Sequence, residues 1–133
     1  MDRMVEVELA RIIINENSDQ QYIFLREKGG QRAFPIVISI VEASAIDRFV
    51  KEQAMPRPLT HELLNTAIQS LGARVARVEV TELKNGTFFA NLVLDREGGP
   101  VEIDARPSDA IALAVRNHSP IYVHEDVLKE VVA

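Results

Sequence analysis

The chain opens on an alternation. Val5, Val7 and Leu9 are separated by Glu6 and Glu8, the two-residue period of a strand with one wet face. The alternation breaks at Arg11, and Ile12, Ile13 and Ile14 follow. Such a change of phase predicts a bulge, or a strand covered on both faces. A polar turn over 15–20 leads into a second strand over 21–26, and a Lys-Gly-Gly turn into a third over 32–39. Pro35 cannot donate to a ladder, so the third strand is expected at a sheet edge or bulged at that point.

The period then changes to that of a helix. Val41, Ala45, Ile46, Phe49 and Val50 recur at helical spacing. The run Met55 to Pro58 stops this helix. Thr60 is the expected N-cap of a second helix, with Glu62 in its first turn and Leu63, Leu64, Ala67, Ile68 and Leu71 as its apolar stripe. Gly72 stands where a helix-ending glycine belongs. Strands over 75–83 and 87–95 flank Lys84-Asn85-Gly86, a strong hairpin signal. A short strand over 101–105 precedes Pro107, which suits the first turn of a third helix over about 107–117. A last short strand over 120–123 and a short terminal helix complete the order βββ-αα-βββ-α-β-α. Adjacent strands interrupted by helices predict an α+β fold, a mostly antiparallel sheet with three main helices.

Length and composition narrow the class. The chain has 133 residues, which suits one domain spanning residues 1–133. Hydrophobic residues make up 47% and aromatics only 5%, with no Trp, so the core is expected to be aliphatic. There is no cysteine, which removes disulfides, thiolate metal sites and cysteine nucleophiles. The net charge of -5 argues against a protein that grips duplex nucleic acid through many phosphates, but leaves room for an enzyme with a local cationic patch. The N-terminus has acids inside its apolar run and no stretch reaches the length of a membrane span, so a soluble, cytoplasmic protein without a membrane partner is expected.

Four stretches carry candidate chemistry. Around 104–109, Asp104 and Glu102 share one strand face, Asp109 follows in the next helical turn, and Arg106 lies between. Three carboxylates at one corner can hold Mg²⁺ or Mn²⁺ or act as acid and base, and Arg106 can meet a phosphate oxygen. The same residues equally suit a capped helix, with Asp104 or Ser108 on free N–H groups and Arg106 paired to Asp104 or Glu102. The second stretch puts Arg57 and His61 at a helix start, where the imidazole is a general base, a metal ligand or an exposed first-turn residue. The third is Glu42, a metal-site candidate or a dipole-favoured acid at the first helix. The fourth is a cationic group of Arg74, Arg77, Lys84 and Arg96, in which Arg77 can simply pair with Glu79. Phosphate loops and hydrolase nucleophile elbows are absent from the sequence.

Several of these segments together resemble a known family. "RPLTHEL" (57–63), "SLGARVARVEVTELKNGTFFANLVL" (70–94), "DARPSDAIALAV" (104–115) and "FPIVISIVEASAI" (34–46), with Glu42 and Ala43, are similar to the bifunctional nuclease domain family. The resemblance runs from about residue 5 to 126. It implies an α+β fold with a strongly bent sheet, a homo-oligomer, and cleavage of RNA and DNA with low sequence specificity. On the matching motif positions it implies a site drawn from Arg57, His61, Asp104, Arg106, Ser108 and Asp109, with Glu42 behind them. In a nuclease, Asp104 and Asp109 with Glu42 would hold Mg²⁺ or Mn²⁺, Arg57, Ser108 and Arg106 would meet the phosphate, and His61 would move a proton. The alternative is a non-enzymatic oligomeric binding or regulatory module, in which the same residues build a helix cap and an interface.

Overall fold

A computed structural model describes residues 3–132. Seven strands form one sheet: β1 (Met4–Ile13), β2 (Gln21–Glu27), β3 (Ala33–Ile38), β4 (Ala73–Lys84), β5 (Thr87–Arg96), β6 (Val101–Ala105) and β7 (Ile121–His124). Their order is β3-β2-β1-β7-β4-β5-β6. The helices are α1 (Ile40–Val50), α2 (Thr60–Ser70), α3 (Pro107–Asn117) and the short α4 (Glu125–Val131). The α+β class and the order of elements agree with the sequence pattern. The sheet is mixed, however: β7 runs parallel to β4, with Val78 opposite Ile121. The reason is α3, which carries the chain from the β6 edge back to the middle of the sheet, where β7 enters in the same direction as β4.

Local expectations hold in detail along the strands. The register of β1 against β2 shifts between Leu9 and Arg11, where the alternation breaks. Pro35 sits on β3, which is an edge strand. Asn85 and Gly86 link β4 to β5 with φ of 52° and 78°, the left-handed pair that a two-residue hairpin requires. The Phe34 and Phe88 rings lie 6.0 Å apart. They belong to β3 and β5, near opposite ends of the strand order, so the sheet is strongly bent and folds over its own core.

The core is aliphatic. Ile23, Leu25, Ile46, Val78, Val80, Val123 and Leu128 are fully buried. Helix α3 runs through its middle, packed on α1 and on β4 and β5. Ala110, Ile111, Ala112, Leu113 and Ala114 are all buried. Alanines alternating with Ile111 and Leu113 let both sides of this helix be covered closely, and each buried Ile or Leu contributes about 1.5–3 kcal/mol. Among the described residues no helix is long and apolar enough to cross a membrane.

Helix α2 departs from its sequence pattern. Of its predicted apolar stripe only Ile68 is buried. The helix turns His61, Asn65 and Ile68 inward and leaves Leu63, Leu64, Ala67 and Leu71 exposed. Thr60 is the first helical residue rather than the cap, and Leu59 takes the cap position without a side-chain bond. The inward face is set by polar contacts: Asn117 Nδ2 donates to Asn65 Oδ1 at 2.8 Å and to the Leu113 carbonyl at 2.8 Å, and His61 reaches Asp109.

Candidate functional site

Three helix N-termini meet at one corner of the molecule. Glu42 stands in the first turn of α1, His61 in that of α2, and Ser108 and Asp109 in that of α3. Two of the three carry a local signal. Ser39 and Glu42 have S-x-x-E spacing, but the Ser39 hydroxyl donates to the Glu42 carboxylate and makes no cap bond to a helix N–H. Pro107 holds Arg106 extended (φ -69°, ψ 142°) and opens α3 directly behind it.

Glu42 is only 4% exposed. One of its oxygens accepts from the Ser39 hydroxyl. The other accepts from the Ser108 hydroxyl at 3.2 Å and faces an Arg106 Nη at 3.6 Å. Burial pushes this carboxyl up, but the Ser39 bond, the Arg106 charge and the Ser108 bond together outweigh it, and its pKa lies below the ordinary carboxylate value. Glu42 is therefore a buried anion, not the solvated acid that its helix position alone allows.

Asp109 joins the other two helices. Its Oδ1 lies 2.8 Å from His61 Nε2. Its Oδ2 accepts from Arg106 Nε at 2.9 Å, with Nη2 at 2.8 Å. That bond raises the Arg106 pKa further above its ordinary value. An ionised carboxylate only accepts, so Nε2 is the nitrogen that carries the proton towards Asp109, and the neutral tautomer compatible with this bond has its lone pair on Nδ1. The His61 residue is 5% exposed, yet its Nδ1 has no partner among the described residues and is not sealed from solvent. A groove of about 470 Å³ lies beside it, lined by Val41, Ser44, Arg48, Leu59 and Leu63. The Arg48–Glu62 ion pair, at 3.2 Å, ties α1 to α2 behind the groove.

The arrangement sorts the candidates. His61, Arg106, Ser108, Asp109 and Glu42 form one connected network. Arg57 is exposed on the loop four residues before His61 and has no ion pair or hydrogen bond among the described residues. Ser108 is buried and spends its hydroxyl on Glu42, so it positions the acid and does not cap its own helix. Asp104 stays outside. It is exposed on edge strand β6, opposite Asn91, and shares no bond with the network. Glu102 bonds Asn91 at 3.3 Å. Arg106 therefore pairs with Asp109 and Glu42, not with Asp104 or Glu102, because the helix starts at once after Arg106 and brings residue 109 back over it. Arg77 does pair with Glu79, at 2.8 Å.

A resident Mg²⁺ or Mn²⁺ fits this donor set poorly. Both oxygens of Glu42 and both of Asp109 are already held by protein donors. Among the described residues no three His, Asp or Glu side chains are grouped to hold a metal ion. Sequence reasoning missed Ser39, whose S-x-x-E spacing to Glu42 was a usable signal. It also missed the Asn65–Asn117 pair, for which the sequence offers none.

Comparison with known proteins gives the geometry a context. Over 127 residues the chain is 40% identical to an uncharacterised protein of Mycobacterium tuberculosis, covering 96% of this chain and 76% of that one. It is 30% identical over 118 residues to bifunctional nuclease 2 of Oryza sativa, and 29% identical over 102 residues to bifunctional nuclease 1 of Arabidopsis thaliana. It covers 86% and 74% of its own length in these matches, but only 36% and 31% of the plant proteins. Residues 23–133 match the profile of the bifunctional nuclease domain. With a match over most of its length, this chain belongs to the bifunctional nuclease domain family.

Proposed function

We propose that this chain is a phosphodiesterase acting on RNA or DNA with low sequence specificity, and that His61 is its proton-transfer group. The observation that carries the reading is Asp109, which holds His61 on one oxygen and Arg106 on the other. That pairing fixes the imidazole tautomer, leaves Nδ1 as a base, and holds Arg106 on the second oxygen of the same carboxylate. His61 takes the proton from the attacking oxygen, a water or in RNA the neighbouring 2′-hydroxyl; that oxygen bonds to phosphorus as the P–O bond to the leaving oxygen breaks, and Asp109 stabilises the imidazolium that forms. The leaving oxygen takes its proton from solvent. Arg106, whose side chain is 67% exposed, and Arg57 stabilise the charge that builds on the phosphoryl oxygens. Glu42 and Ser108 hold Arg106 in place from below. The plant relatives that carry the name nuclease support the substrate class. The net charge of -5 fits transient binding and not a stable nucleic-acid complex.

The test is cleavage of labelled single-stranded RNA and DNA by highly purified protein, with Mg²⁺, with Mn²⁺ and with chelator. His61→Gln and Asp104→Asn are prepared identically. His61→Gln should lose about 10²–10⁴ in rate, and Asp104→Asn should retain it. Equal cleavage by His61→Gln overturns the assignment. Metal-dependent cleavage lost in Asp104→Asn moves the chemistry to the β6 edge. No cleavage by the wild type favours a binding module.

A further inference from the structure

We infer that the outward face of α2 is the contact between two copies of this chain, packed antiparallel across a two-fold axis at Ala67. Leu71 is 84% exposed, Leu63 61% and Leu64 41%. With Ala67 they form one stripe along the helix, clear of the inward His61, Asn65 and Ile68. Leu59 and Val41 extend it past the helix start. Together these side chains expose on the order of 500 Å², close to the apolar part of the roughly 800 Å² that one partner contributes to a standard interface.

The spacing selects a second copy as the occupant. Leu63 and Leu71 each lie four residues from Ala67. A two-fold axis at Ala67 sets Leu63 against Leu71 of the partner subunit, with the small residue where the helices cross and must approach closely. Charge points the same way. Each copy carries a net charge of -5, and association costs least where the surface is uncharged. The exposed positions of α2 are Leu, Ala, Thr, Gln and Ser, and Glu62 is already paired with Arg48. A lipid surface would call for a cationic rim, which this helix lacks. Val41, Leu59 and Leu63 also line the groove at His61, so the seated copy borders that groove.

Sedimentation over about a hundredfold range of concentration reads the assembly directly. The wild type should reach at least twice the monomer mass. Leu71→Glu should raise the dissociation constant at least about a hundredfold while its dichroism spectrum and its unfolding at low concentration match the wild type. The chain has no cysteine, so Ala67→Cys introduces a single thiol beside the axis. On mild oxidation it should give a covalent dimer, and Gln69→Cys, on the side of the helix, should not. A wild type that stays monomeric throughout overturns the inference. So does an assembly that survives Leu71→Glu, or Gln69→Cys cross-linking as readily as Ala67→Cys.

Discussion

Helices α2 and α3 have the same length, 11 residues, and lie against each other. They use their side chains in opposite ways. Helix α3 buries its aliphatic residues and presents only its first turn to the corner. Helix α2 buries a histidine and an asparagine and holds its leucines out to solvent. An apolar stripe thus states that a face seeks cover, and says nothing of which neighbour supplies it. For α3 the sheet and α1 supply it. For α2 the inward side is taken by bonds to Asp109 and Asn117, and the leucines are left exposed.

That contrast makes measurable demands. The largest falls on α3: Ile111→Ala removes a fully buried side chain from a helix covered on both sides, and should cost about 2–5 kcal/mol in urea unfolding. A loss below 1 kcal/mol would mean that α3 is not the centre of the core.

Acid lability comes next. In the folded chain the Glu42 carboxyl lies below its ordinary value. Its contribution to stability is therefore complete above about pH 4.5 and is lost as pH falls through the depressed folded value. Glu27 and Glu125 are depressed too, by the hydrogen bonds of Arg32, and behave with the same sign. Glu42→Gln should flatten the fall in stability between about pH 6 and pH 3 without abolishing it. An unchanged pH slope would assign the whole effect to the Arg32 group.

The smallest effects test α2 itself. Asn65→Ala removes a buried side chain and one of the two acceptors of the part-buried Asn117 amide, and should cost about 1–2 kcal/mol. Leu71→Ser, at a concentration that keeps the chain monomeric, should change stability by no more than about 0.5 kcal/mol. The usual ranking of leucine over asparagine would be reversed on this one helix. If Leu71→Ser proves the costlier, α2 is seated on the fold differently.

Much of the molecule follows from residues close together in the chain. The strand alternation, the phase break at Arg11, the edge position of Pro35, the Asn85-Gly86 turn and the Pro107 helix start are each decided by a few neighbouring residues. Backbone sterics and local periodicity act over that range, and so these features, and with them the α+β class, were legible. Resemblance of short motifs also gathered His61, Arg106, Ser108 and Asp109 as candidates. Tertiary structure alone decided how they combine. His61 and Asp109 are 48 residues apart, and Ser108 and Glu42 are 66. Only the packing of three helix starts brings them within bonding distance. The same packing commits both oxygens of Glu42 and Asp109, leaves Asp104 on the sheet edge, and turns the leucines of α2 outward. Periodicity along a chain fixes which faces exist. The hydrogen bonds and charges that arrive from distant segments choose which face is buried.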